Sequence, residues 1–126
     1  MQFRTDRQRV QGLGASGDGV GHWWSQRITS IALVPLTIVF IFPFVQALGS
    51  DFERVREVYS HPFNAVVAIL FFAVGFRHLQ QGIQVVIEDY VHDKPLMVGL
   101  QLANTLLTFA FAMTAIFAVA MIAFAA

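Results

Sequence analysis

The sequence predicts an all-α integral membrane protein with three transmembrane helices. Three observations carry that expectation. The 126-residue chain is 56% hydrophobic and only 13% charged, whereas soluble domains carry about 25% charged residues. A soluble domain of this size keeps a large surface fraction and could not bury so much apolar side chain. The apolar residues also fall into three long runs, over about 28–48, 63–87 and 96–126, and a helix needs about 20 such residues to cross the hydrocarbon core.

Residues 1–27 read as a polar arm and residues 28–126 as the membrane-anchor domain. The arm carries Arg4, Asp6, Arg7, Arg9 and Asp18 together with Gly12, Gly14, Gly17, Gly19 and Gly21, a composition that favours a loop. It does not match a cleaved signal peptide, which needs an apolar core soon after its basic start. The first span contains Pro35 and Pro43, where kinks are expected, because neighbouring helices can satisfy the freed carbonyls. The stretch from Gly49 to Pro62, with Asp51, Glu53, Arg54, Arg56 and Glu57, reads as a solvated turn of mixed charge. The segment EDYVHDKP, Glu88 to Pro95, is a second compact polar turn, and Pro95 suits the first turn of the third helix. The third run is long enough to tilt or to project beyond the bilayer.

Arg4, Arg7, Arg9, Arg27 and Lys94 fall on one side of such a topology, and Arg54 and Arg56 on the other. The excess of Lys and Arg places the N-terminus in the cytoplasm. Trp23 and Trp24 stand just before the first span, where interfacial aromatics belong. Zero net charge gives no footprint for nucleic acid. The absence of Cys excludes disulfides, zinc–thiolate sites, iron–sulfur ligation and thiol nucleophiles together.

Polar groups at membrane depth are costly and mark function by default. The second span holds Arg77, His78, Gln80, Gln81 and Gln84, and it closes on Asp89 and Tyr90. At about 100° per residue, Gly75, His78, Gly82, Val85 and Asp89 share one narrow stripe. Glycine one turn either side of His78 gives room for a flat ligand, and a neutral imidazole can ligate metal. By the helical rise His78 stands about 18 Å from Tyr90, near the bilayer middle if Tyr90 marks the interface. Spacing alone leaves three uses for His78: haem ligation, a hydrogen bond to a neighbouring helix, or a proton relay. Tyr90 reads either as an interfacial anchor or as a donor to a ligand, and Arg27 either as a snorkelling cation or as the partner of an anionic group. Asn104, Thr105 and Thr108 read as interhelical glue.

The segment His78-LQQGIQVVIE-Asp89-Tyr90 resembles the hydrophobic membrane-anchor family of succinate dehydrogenase, specifically the smaller anchor chain. That family shows a His, ten residues and then Asp-Tyr in the second of three spans, often with Gly four residues after the His, as Gly82 stands here. The start GVGHWWSQRITSIAL, leading through an Arg into the first span, is also similar. The resemblance implies a helical bundle formed with a second anchor subunit around haem b, with His78 as one axial ligand of the haem iron. It implies that Tyr90 hydrogen-bonds a ubiquinone carbonyl, with Asp89 beside it. It places Arg27, and more loosely His22, near the haem propionates and the quinone. The implied partners are that second anchor subunit, an iron–sulfur subunit and a flavoprotein subunit, besides membrane lipid; assembly of such heterotetramers into trimers stays open.

The function expected on this basis is that of the anchor subunit of succinate:ubiquinone oxidoreductase in a bacterial inner membrane, multi-pass, or in the mitochondrial inner membrane as the alternative. The chain belongs to an enzyme but is not expected to be catalytic alone. Two other classes compete: a haem-free structural anchor or assembly subunit of another membrane complex, and a transporter subunit using Arg77, His78 and the glutamines as a polar path.

Overall fold

The computed structural model describes residues 5–10 and 19–124, and all of its regular elements are helices. They are α1 (Asp6–Val10), α2 (Gly19–Ala47), α3 (Phe52–Ser60), α4 (Pro62–Tyr90) and α5 (Lys94–Phe124). The described part of the arm of residues 1–27 is not the loop expected there: residues 6–10 are helical, and Gly19, Gly21 and the residues on to Arg27 belong to α2, while Gly12, Gly14, Gly17, Arg4 and Asp18 lie outside the described residues. The three long helices α2, α4 and α5 are each apolar and long enough to cross a membrane. The chain is an all-helical, multi-pass membrane protein of three spans.

Local chemistry sets each boundary. α2 begins before the apolar run and continues through Pro35 and Pro43 to Ala47. Gly49 ends it with φ of +74°, a left-handed conformation that costs glycine little. Asp51 then caps α3, accepting the backbone N–H of Arg54 at 2.9 Å, which satisfies one orphan donor of the first turn. His61 ends α3 and precedes α4, and Pro62 opens α4, where its missing N–H removes nothing. Asn64 ties this corner together, its Nδ2 donating to the carbonyl of Val58 at 2.8 Å. At the other end Asp93 accepts the N–H of Leu96 at 2.9 Å and so caps α5. Of the two turns read from the sequence, the first therefore contains a nine-residue helix, with Val58 and Tyr59 buried.

α4 is central. It packs on α2 along one side and on α5 along another, while α2 and α5 do not pack on each other. Three contacts show that α2 and α4 are antiparallel: Thr29 meets His78, Leu33 meets Gly75, and Phe40 stacks on Phe71 at 4.2 Å between centroids. Asn104 bonding to Gln80 and Gln101 bonding to Gln84 show the same for α4 and α5. The hydrophobic cluster lies at the α3 end, where Val58, Tyr59 and Ala68 pack with Phe40, Val119 and Ile122. Burial within the chain is sparse elsewhere. Ile31 is 71% exposed, Leu106 67% and Phe109 66%, as expected of side chains covered by lipid or by another subunit.

Candidate functional site

The polar residues gather in the half of the bundle that contains Tyr90, opposite the aromatic and aliphatic cluster under α3. His78 is half-buried in the face of α4 that meets α2. Its Nδ1 lies 3.0 Å from the hydroxyl of Thr29, 49 residues away in sequence. That hydroxyl also lies 2.9 Å from the carbonyl of Ser25 and 3.0 Å from that of Gln26. The hydroxyl has one proton, and the carbonyls can only accept it. A hydroxyl that donates to either carbonyl accepts from the imidazole, which puts the ring proton on Nδ1; in the other tautomer the hydroxyl donates to Nδ1 instead. Nε2 has no hydrogen-bond partner among the described residues.

The glycines flanking His78 differ. A Cβ on Gly75 would stand 3.9 Å from Cδ2 of Leu33, so this glycine packs against α2; a Cβ on Gly82 would meet nothing within 4 Å. Gly75 also borders an open apolar groove of about 230 Å³ with Phe71, Phe72, Phe76 and Leu79. His78 stands one turn along α4 from Gly75 and is not itself among the residues lining this groove, which the chain leaves uncovered. No group of three or more His, Asp or Glu side chains able to hold a metal ion occurs among the described residues. The donor set suits a haem iron ligated once from this chain, and not a metal ion caged by it.

His22, Gln26 and Thr29 follow one another along the α4-facing side of α2. The Nε2 of His22 and the Oε1 of Gln26 are buried without a partner, as are both side-chain polar atoms of Gln81 and the Oδ1 of Asn104. Buried polar atoms are ordinarily hydrogen-bonded, so this end of the bundle holds capacity that the chain itself does not use. Arg27 is exposed, with its Cζ 5.4 Å from the centre of the Trp23 ring, a cation–π arrangement. Asp89 is exposed and Tyr90 is 79% exposed at the end of α4. No hydrogen bond or ion pair joins Asp89 or Tyr90 to His22 or Arg27 among the described residues. The structure sets these four side chains at one end of the bundle without uniting them.

Arg77 projects from α4 toward α5, donating to Oε1 of Gln80 at 2.5 Å, and shares an open groove with Thr105 and Thr108. Asn104 behaves as interhelical glue, its Nδ2 donating to the carbonyl of Gln80 at 2.9 Å. Thr108 turns back on its own helix, donating to the carbonyl of Asn104 at 2.5 Å. The residue that sequence reasoning did not single out is Thr29. A hydroxyl in a span ordinarily bonds the preceding turn, and only the packing of α2 on α4 brings this one to His78.

Comparison with known proteins identifies the family. The family model for the succinate dehydrogenase/fumarate reductase transmembrane subunit matches residues 1–125. The succinate dehydrogenase hydrophobic membrane anchor subunit of Paracoccus denitrificans is 32% identical over 90 residues, 71% of this chain and 70% of that one. The protein of the same name from Rickettsia bellii is 29% identical over 89 residues, 71% of each chain. The succinate dehydrogenase membrane anchor subunit of Reclinomonas americana is 27% identical over 81 residues, 60% of this chain and 66% of that one. No solved structure matches. A three-span helical chain matched along nearly its whole length belongs to the succinate dehydrogenase/fumarate reductase transmembrane subunit family, as a membrane anchor.

Proposed function

We propose that this anchor holds haem b jointly with a second anchor subunit and helps to form the site where succinate:ubiquinone oxidoreductase reduces ubiquinone. The observation that carries the proposal is the geometry of His78, with Nδ1 3.0 Å from the Thr29 hydroxyl, Nε2 without a hydrogen-bond partner among the described residues, and Gly75 one turn away bordering an uncovered apolar groove. Bound haem supplies a one-electron redox centre whose potential follows from axial ligation, burial and nearby charge. Toward that group, His78 would provide Nε2 as one axial ligand, the other coming from the second anchor subunit. The buried, unpartnered Nε2 of His22 and the guanidinium of Arg27 suit the propionate carboxylates.

Tyr90 and Asp89 serve the substrate. The exposed phenol of Tyr90 donates a hydrogen bond to a ubiquinone carbonyl, and the carboxyl of Asp89 beside it passes protons. Ubiquinone takes up two electrons and two protons and leaves as ubiquinol. The electrons come from succinate through the flavoprotein and iron–sulfur subunits; this chain, without Cys, supplies no thiolate for an iron–sulfur cluster. The complex resides in a bacterial inner membrane with the N-terminus cytoplasmic, as the balance of Lys and Arg favours; the mitochondrial alternative puts that end in the matrix.

The test is succinate-dependent ubiquinone reduction by the complex drawn from mild-detergent membranes through a tag on this chain. Tyr90→Phe should lower that rate by about a hundredfold while succinate oxidation by a soluble dye stays unchanged. Equal ubiquinone reduction by the variant and the wild type overturns the quinone role. A haem-free structural anchor is the second reading, favoured by one fact: the His78–Thr29 bond already works as a contact between helices.

A further inference from the structure

We propose that Thr29 is a positioning residue for His78: its hydroxyl accepts the Nδ1 proton, which fixes the tautomer and the ring angle that present Nε2 outward. The inference rests on the haem proposal above and adds to it the group on this chain that prepares the ligand. Three features of the first span carry it.

The first is direction. The Thr29 hydroxyl has backbone acceptors at 2.9 Å on Ser25 and 3.0 Å on Gln26, and the Gln26 carbonyl already receives Ser30 at 2.8 Å. Ser25 is therefore the better acceptor for the threonine proton, and the lone pairs of the hydroxyl turn toward His78. The second is rigidity. A β-branched side chain on a helix has few rotamers, and the bond to the preceding turn selects one of them. The third is placement. Leu33 lies one turn further along α2 against Gly75, so α2 approaches α4 closely enough at this level to hold the hydroxyl in register with the imidazole.

An acceptor on the distal N–H of a metal-bound histidine makes the ligating nitrogen more basic. Electron donation from a stronger ligand favours the oxidised iron. Thr29 therefore lowers the midpoint potential of the ligated haem and strengthens its retention. The same bond orients the ring, so its loss would also broaden the distribution of ligand angles.

The experiment uses the intact complex, purified through a tag on this chain, with wild type, Thr29→Val, Thr29→Ala, Thr29→Ser and His78→Ala. Assembly is read from co-purification of the other subunits. Haem is read from content per complex, low-temperature EPR line shape and a redox titration. Thr29→Val is close to isosteric and should assemble, shift the midpoint potential upward, broaden the EPR signal and weaken haem retention by about tenfold to a hundredfold. Thr29→Ala should do the same, and Thr29→Ser should restore the wild-type values. Wild-type potential, line shape and retention in Thr29→Val and Thr29→Ala would overturn the role of Thr29 alone, provided His78→Ala loses the signal. An unchanged signal in His78→Ala overturns the haem assignment and this inference with it. Failure of all three Thr29 variants to assemble, serine included, assigns the residue to packing and also overturns the proposal.

Discussion

The Cβ that Gly75 lacks would stand 3.9 Å from Cδ2 of Leu33, while the one that Gly82 lacks would meet nothing within 4 Å. Two glycines about one helical turn from His78 thus face different neighbours: one the first span, the other space that this chain leaves open. Gly75→Ala should be tolerated, with a change in stability below about 1 kcal/mol, since 3.9 Å is ordinary van der Waals contact. Gly82→Ala puts its Cβ where nothing in the described chain lies within 4 Å, so a loss it causes reports a group outside the chain. It should leave the helical content of the isolated subunit unchanged by circular dichroism and reduce haem in the assembled complex. Full haem content in that complex would show that nothing lies against Gly82.

Asn104 fastens α5 to α4 by one side-chain hydrogen bond to the carbonyl of Gln80, at 2.9 Å. Such bonds between membrane helices contribute about 0.6 kcal/mol, with about 1.7 at the upper end. Because the Oδ1 of Asn104 is buried without a partner, Asn104→Leu also removes an unsatisfied atom and should cost less than about 1 kcal/mol. Thermal unfolding in detergent measures this, and a loss of several kcal/mol would mean that Oδ1 has a partner in the assembled complex.

The short helix α3 depends on its cap. Asp51→Ala removes the acceptor of the Arg54 N–H and should destabilise that helix by about 1 kcal/mol. Asp51→Asn keeps an acceptor and should recover most of it. Hydrogen exchange over 52–60 resolves the difference.

Tyr59 anchors the same helix to the cluster, and burial pushes its phenol above the ordinary 10.0, since a charged phenolate is disfavoured there. The unfolded chain then releases this proton at a lower pH than the native one does. The contribution is complete below about pH 10 and is lost as pH rises through the raised native value. Alkaline unfolding of Tyr59→Phe should therefore be less steep than that of the wild type. Identical alkaline limbs would mean that Tyr59 titrates normally.

The three spans were legible because crossing a bilayer demands length and hydrophobicity together, and the runs after residues 28, 63 and 96 meet both. α3 was not, since five charges among its residues and its cap hide the spacing of Val55, Val58 and Tyr59, which puts those three on one face. The early start of α2 at Gly19 was obscured by glycines and polar side chains. Within the site, His78, Asp89, Tyr90, Arg27 and His22 stood out as polar or ionisable residues in or beside apolar runs. Thr29 did not, because its contact with His78 depends on helix register across 49 residues. The buried, unpartnered atoms of Gln26 and Gln81 are likewise a property of packing, invisible in composition.

The most direct test is the reduced-minus-oxidised absorbance spectrum of the complex purified through this chain, wild type against His78→Ala, with all subunits shown to be present. The account predicts a b-type haem band in the wild type that is lost or displaced in the variant. The same band, at the same position and intensity in both, would contradict it.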